Sequence, residues 1–363
     1  MTTECEYTHV ELLTLNGPEY RRVSTAPPRL PTKDEIPVID LNPIDGDAQE
    51  RQQLAAKVRA AAENTGFFYI KNHGIPEELI QEALAQAQAF FQQSEEDKLK
   101  VASAKMRLMD GFHGVGSTQI NKTESRDRKE TFSLRYNPRR DPQANPATLP
   151  ADDDNDDDQD RALWAGTAHL PGFRETTTAF YQARLTLARK MIRLFALALH
   201  LPDSYFDELV THPGADGLYV HYPGTPDAPA TDDATPEVGI GSHTDIQCVT
   251  LLWQDMSGGL QVLSAQDEWL DARPIPGTLV VNIGDFLQRL SNNRFRSTVH
   301  RVYNRQAASR YSMPFFLGFN PEAVCRVVPS CVDAAHPPLY EPISCGQWHR
   351  DRLALAQGLL VRP

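Results

Sequence analysis

Apolar and polar positions recur with two different periods along this chain, and the place where the period changes divides it. Over Gln49–Asn64 the apolar residues Leu54, Ala55, Val58, Ala61 and Ala62 fall three or four apart, which predicts a helix. A second helix is predicted from Pro76, with Leu79, Ile80, Ala83, Leu84, Ala87, Phe90 and Phe91 forming its stripe. Ile36–Leu41 and Gly66–Ile70 read as strands beside these helices, and Thr131–Tyr136 alternates as a further strand. Phe180, Ala183, Leu187, Met191, Leu194 and Leu197 mark a long helix over Phe173–Leu201 that Pro202 ends, with a shorter one around Tyr205–Val210. From Leu218 the period shortens to two. Leu218–Tyr222, Cys248–Trp253, Leu260–Leu263, Trp269–Asp271, Thr278–Ile283, Ser297–Tyr303 and Arg310–Phe319 are short runs separated by turn residues, the pattern of a closed or sandwiched β unit. A short helix is expected to begin at Gly284–Asp285, and a closing helix to span Ser344–Leu359.

Four stretches carry no period. Residues 1–35 are Pro-rich and read as a surface arm that Tyr7, Val10, Leu12, Leu13 and Leu15 could anchor. Met109–Thr123 reads as a long loop, and Pro226–Pro236 as a polar one. Residues 146–172 contain the run Ala151–Asp160, which lacks the glycine and terminal glutamate of a calcium loop and reads as a solvated, self-repelling segment. The expected organisation is therefore an arm (1–35), an N-terminal α/β region (36–145), an acidic loop (146–172) and a β core with supporting helices (173–363), all in one catalytic unit.

Composition narrows the class of partner. Among 363 residues, 40% are hydrophobic and 23% charged, and no apolar run approaches the roughly 20 residues that a membrane span needs. A net charge of -12 without a basic cluster opposes a nucleic-acid partner. Five cysteines, an odd number with no Cys-x-x-Cys pair, read as reduced thiols and not as a disulfide or zinc framework. With the polar, acidic start Met1–Glu6, they lead us to expect a cytoplasmic protein. A small molecule is the expected substrate; the sequence does not fix the oligomeric state, and a monomer is compatible with it.

Candidate chemistry lies in the β region. His243 and Asp245 are two apart, so on a strand both side chains reach the same face. His300 lies in the β-branched run Ser297–Val302, on a separate predicted strand. Two imidazoles and one carboxylate suit non-haem Fe(II) with open positions, although an open zinc site accepts the same donors. Arg310 and Ser312 repeat the two-apart spacing, and a guanidinium beside a hydroxyl is suited to gripping a small carboxylate. That pair has no explanation in a zinc hydrolase.

With Gln254–Asp255, Gly258–Val262 and Pro276–Asp285 between them, these motifs resemble the iron- and 2-oxoglutarate-dependent oxygenases of the isopenicillin N synthase-like superfamily. Ile36–Leu41 and Thr65–Ile75 match a second region of that family. The resemblance implies a mainly β, double-stranded β-helix (jelly-roll) core with flanking helices. It implies that His243, Asp245 and His300 hold Fe(II), and that Arg310 and Ser312, with Tyr222 nearby, hold the 2-oxoglutarate co-substrate. Family members often have Asn two residues before that tyrosine, where this chain has Val220. The implied reaction consumes O2 and 2-oxoglutarate, releases succinate and CO2, and hydroxylates, desaturates or cyclises a small organic molecule, plausibly in specialised metabolism. In a few relatives Arg-x-Ser instead binds the substrate's own carboxylate, and a barrel retained only for binding is a third reading. In the family, Met109–Gln119 borders the substrate pocket, and His113 there reads as either a substrate contact or an exposed residue. His73 and Asp285 read as structural, Asp285 as a helix cap, and His221 points away from Tyr222 by alternation.

Overall fold

The computed structural model describes residues 6–106, 110–144, 154–224, 238–303 and 307–356. The polar loop expected over Pro226–Pro236, the start of the acidic run and residues 357–359 of the expected closing helix lie outside them.

Sixteen strands and seven α-helices are described. In chain order the strands are β1 (Tyr7–Thr14), β2 (Gly17–Ser24), β3 (Val38–Asp40), β4 (Phe67–Lys71), β5 (Gly111–His113), β6 (Glu130–Arg135), β7 (Ala215–Tyr222) and β8 (Ile240–His243). They continue with β9 (Val249–Gln254), β10 (Leu260–Leu263), β11 (Trp269–Asp271), β12 (Thr278–Ile283), β13 (His300–Val302), β14 (Arg310–Leu317), β15 (Val324–Cys325) and β16 (Ile343–Ser344). The helices are α1 (Ala48–Asn64), α2 (Glu77–Phe91), α3 (Glu95–Leu99), α4 (Asp154–Gly166), α5 (Phe173–Ala198), α6 (Asp285–Leu290) and α7 (Cys345–Ala356).

Two sheets face each other. The larger has eight strands in the order β3-β4-β12-β9-β14-β7-β6-β5, and the smaller four in the order β11-β10-β13-β8. The larger is antiparallel except where β3 runs parallel to β4. Alternation sorts the side chains of each strand between two environments. On β6, Phe132 and Leu134 join the outer core, whereas Thr131 turns inward between the sheets. The inner layer is built from Phe67, Tyr69, Val220, Leu260, Val262 and Val280.

Helix α5 covers the outer face of the larger sheet. Its Phe180, Tyr181, Leu185, Ala188, Met191 and Ile192 are completely buried, and each large apolar side chain contributes roughly 1.5–3 kcal/mol. Helices α1 and α2 pack on α5 in turn. A reciprocal capping box starts α1, in which Asp47 accepts from Glu50 N while Glu50 accepts from Asp47 N.

Four expectations need correction. The arm is a β-hairpin whose Val10, Leu12 and Val23 pack on Leu263, Trp269 and Val299 of the smaller sheet's outer side. Asn16-Gly17 at its turn is the sequence signal that identifies it, and Gly17 has φ of 112°. The acidic segment is helical over Asp154–Gly166 instead of a loop. Its later part is tied to the body by the pairing of Arg140 with Asp160, which also accepts from Trp164 Nε1 of the same helix at 2.9 Å, and by the burial of Leu163 and Trp164. Within the loop expected over Met109–Thr123, Gly111–His113 forms an edge strand on β6. Around Tyr205–Val210 only a single 3-10 turn forms, at Asp207–Leu209. No described helix is long and apolar enough to cross a membrane.

Candidate metal and co-substrate site

Strands β8 and β13 pair so that His300 lies directly opposite His243, with ring centroids 4.2 Å apart. Asp245 is not on the strand. β8 ends at His243, and the chain bends through 246–248 before β9, so Asp245 is positioned by the bend and not by strand alternation. The bend is clamped from α6: Asp285 N donates to Asp245 O at 2.7 Å and Gly284 N to Cys248 O at 2.9 Å. A Cβ at Gly284 would lie 2.1 Å from Gln247 O, so only glycine permits this approach.

Ligand atoms of His243, Asp245 and His300 all lie within 4.8 Å of one another. His243 Nδ1 faces Gly241 O at 2.7 Å, and His300 Nδ1 faces Thr298 O at 3.1 Å. A carbonyl only accepts, so each Nδ1 carries the proton and each Nε2 presents a lone pair. Both Nε2 atoms are 3.7 Å from Asp245 Oδ1. The other oxygen, Oδ2, is occupied by Asn282 Nδ2 at 2.7 Å and Thr250 Oγ1 at 2.5 Å. Burial pushes the His243 imidazole far below its usual range, and the adjacent His300 pushes it further, so it is neutral and able to ligate. For Asp245, burial opposes ionisation, but the positive charge of His300 and His243 in the pH range where they are protonated, with the hydrogen bonds from Asn282 and Thr250, outweighs it and holds the carboxyl below its ordinary value. This donor set suits a divalent cation, with one carboxylate oxygen already fixed by the protein.

Arg310 begins β14 and is almost wholly buried. Its Nε donates to Gly258 O at 2.6 Å and Nη2 to Gln254 Oε1 at 3.1 Å, while Nη1 has no hydrogen-bond partner among the described residues. A buried cationic nitrogen left unpaired is costly and calls for an anion. Arg310 and Tyr222 face each other in register, with the guanidinium 4.7 Å from the ring centroid. Arg310, Ser312 and Tyr222 line the same cavity as the three candidate ligands.

His221 turns to the opposite side, as alternation requires, where it contacts Glu130 at 2.8 Å and stacks on Phe91 and Tyr311. His73 serves its loop by accepting from Ile75 N at 3.2 Å. Asp285 does not cap α6, because Gly284 occupies that position. Instead it takes Arg352 of α7 at 2.6 Å and Thr244 Oγ1 at 3.0 Å. His113 contacts Ser103 Oγ at 3.1 Å, and none of the described residues 110–119 lines the metal cavity. Thr250, Asn282, Phe67 and Lys129, which the sequence reading did not single out, do line it. Asn282 had a legible signal, as the one amide within the apolar run Thr278–Ile283.

Comparison with known proteins agrees with this architecture. Residues 36–152 match the N-terminal model described as non-haem dioxygenase in morphine synthesis, and residues 216–319 match the 2OG-Fe(II) oxygenase superfamily. The chain belongs to the 2-oxoglutarate- and Fe(II)-dependent oxygenase superfamily. A 2-oxoglutarate-Fe(II) type oxidoreductase of Metarhizium rileyi is 40% identical over 353 residues, covering 96% of this chain and 94% of the relative. A 1-aminocyclopropane-1-carboxylate oxidase of Dictyostelium mucoroides is 31% identical, covering 82% of this chain and 85% of its own. Among solved structures, a full-length Neurospora crassa protein in complex with α-ketoglutarate superposes with TM-score 0.72 at 27% identity, covering 90% of this chain and 99% of that one. The rice dioxygenase for auxin oxidation gives TM-score 0.69 at 27% identity, covering 89% and 96%. The protein is thus a non-haem iron dioxygenase with a jelly-roll core, using Fe(II), 2-oxoglutarate and O2 on a small molecule.

Proposed function

We propose that His243, Asp245 and His300 are the iron ligands, that Arg310 and Ser312 hold the distal carboxylate of 2-oxoglutarate with Tyr222 beside them, and that the substrate is a specialised metabolite. The observation that carries this assignment is the buried Arg310 Nη1, unpartnered among the described residues and in the cavity that holds the triad. Iron and 2-oxoglutarate, when bound, would supply the oxidation of a substrate C–H bond by O2, at the cost of the keto acid, which leaves as succinate and CO2.

The protein's own residues prepare that chemistry. The Gly241 and Thr298 carbonyls fix both imidazole tautomers, and Asn282 with Thr250 fixes the carboxylate rotation. Gln254 and the Gly258 carbonyl hold the guanidinium plane, so its free edge is already oriented for a carboxylate. Leu252, Leu260 and Val302 line the same cavity and make that part of its wall apolar.

Anaerobic titration of Fe(II)-loaded protein with 2-oxoglutarate tests the assignment through the visible charge-transfer band of a bidentate keto-acid complex. The band should appear and then require far more 2-oxoglutarate in Arg310→Ala. Iron-loaded protein that shows no band, or that oxidises a substrate without 2-oxoglutarate, would mean that the Arg310 pocket holds the substrate's own carboxylate.

A further inference from the structure

The cavity contains polar groups beyond those just assigned. Thr250 and Asn282 are committed to Asp245, and Arg310, Ser312 and Tyr222 belong to the co-substrate end. Lys129 and Thr131 remain. They are two apart, Lys129 directly before β6 and Thr131 within it, and both line the cavity while the intervening Glu130 turns outward to Lys98 and His221. Their surroundings are apolar: Leu218, Val220, Pro314 and Phe316 complete this wall.

The Lys129 side chain is only 15% exposed, and its one charged neighbour among the described residues is Asp127 Oδ2 at 3.6 Å, beyond hydrogen-bond distance. Asp127 is engaged elsewhere, accepting from Thr118 Oγ1 at 2.7 Å, Gly241 N at 3.3 Å and Ile120 N at 3.4 Å. An ammonium has three donors and is strongly hydrated, so placing it on an apolar wall is costly unless a ligand completes its shell. Thr131 Oγ1 makes no hydrogen bond to the described residues either, although the residue is buried.

We infer that Lys129 and Thr131 form a second anion subsite, specific to the organic substrate, and that the substrate carries a carboxylate on an otherwise apolar body. This rests on the reading that Arg310 serves 2-oxoglutarate. Asp127 already offsets part of the lysine charge, so the subsite suits a monoanion and not a phosphate dianion. The apolar body lies against Leu218, Val220 and Phe316. Lys129 then acts as a specificity-determining residue that fixes which substrate carbon faces the metal.

The test uses trifluoroacetate, observed by fluorine NMR, with Co(II) in the metal site of the full chain. A paramagnetic ion broadens the signal of any anion bound close to it. Without 2-oxoglutarate both anion subsites are open to the probe; at saturating 2-oxoglutarate the Arg310 subsite is filled. Saturable broadening should persist at saturating 2-oxoglutarate, weaken roughly tenfold or more in Lys129→Met, and survive in Lys129→Arg. Trifluoroethanol, the neutral control, should show no saturable broadening. No residual saturable broadening in the wild type, or equal broadening in Lys129→Met, would overturn the inference. Failure of 2-oxoglutarate to displace any probe would count instead against the Arg310 assignment, since dependence on Lys129 is read separately.

Discussion

Replacing Asn282 by leucine removes one donor from Asp245 while keeping the number and branching of side-chain heavy atoms in a strand that is buried on both faces. In the native site, Asn282 Nδ2 at 2.7 Å and Thr250 Oγ1 together hold Oδ2, which leaves Oδ1 facing both imidazoles. A hydrogen bond to a charged acceptor contributes about 1.5–3 kcal/mol, so Asn282→Leu should weaken Fe(II) binding roughly 10- to 160-fold. That range overlaps the about 10- to 100-fold loss usual when a partner of a metal ligand is removed. Anaerobic equilibrium dialysis against Fe(II) measures it, and thermal unfolding of the metal-free protein reports whether the fold survives. The metal-free variant should stay folded but be less stable than wild type, because a buried carboxylate oxygen has lost one of its two donors and the larger leucine must be accommodated. A folded Asn282→Leu protein that binds Fe(II) within about twofold of wild type would refute the argument that this amide sets the carboxylate.

Further outcomes follow from the same geometry. His243→Ala and His300→Ala should each abolish Fe(II)-dependent turnover with the circular dichroism spectrum retained; near-normal turnover in either would remove it from the ligand set. Arg310→Ala truncates one partner of a buried charge pair, a loss of about 2–5 kcal/mol, so the 2-oxoglutarate requirement should rise roughly 30-fold or more while iron affinity is kept. Titration of succinate formation against 2-oxoglutarate would show this, and an unchanged requirement would refute it. Glu35 is held down to about 2, first by its hydrogen bond from Arg29. Its folded value lies below the unfolded one, so this contribution is complete above the ordinary glutamate range and is lost as pH falls toward about 2. Unfolding followed from pH 5 to 2 should therefore be less steep in Glu35→Gln, and identical curves would show that the pair contributes nothing.

Legibility in the sequence depended on whether a residue's role is local. Leu260–Leu263, Trp269–Asp271 and Thr278–Ile283 are strands with the bounds read from the sequence, because at least one face of each is packed and the register is forced. His243 and His300 are placed on separate strands by spacing and β-branched context, and the structure pairs those strands directly. Asp245 came to the same point for a different reason, a bend clamped by Gly284 and Asp285, which no period announces. The resemblance points to the irregular stretch 109–119 for substrate contacts, yet Gly111–His113 there form the sheet's edge, and the cavity is met by Lys129 and Thr131 at the start of the next strand. A polar residue at a strand end is ordinary in sequence, and only the fold shows which cavity it faces. The helix at Asp154–Gly166 was hidden for a related reason, since its anchors Arg140 and Asp160 are brought together by tertiary structure.

The order of strands also has a consequence for biosynthesis. β4 takes its place in the larger sheet only by pairing with β12, so that Lys71 waits for Thr278 to be synthesised. Until then a nascent chain displays an uncovered strand edge beside Phe67, Phe68 and Ile70, a surface prone to association with other chains. Slower synthesis at low temperature, or chaperone co-expression, should therefore raise the amount of soluble protein without changing turnover per molecule.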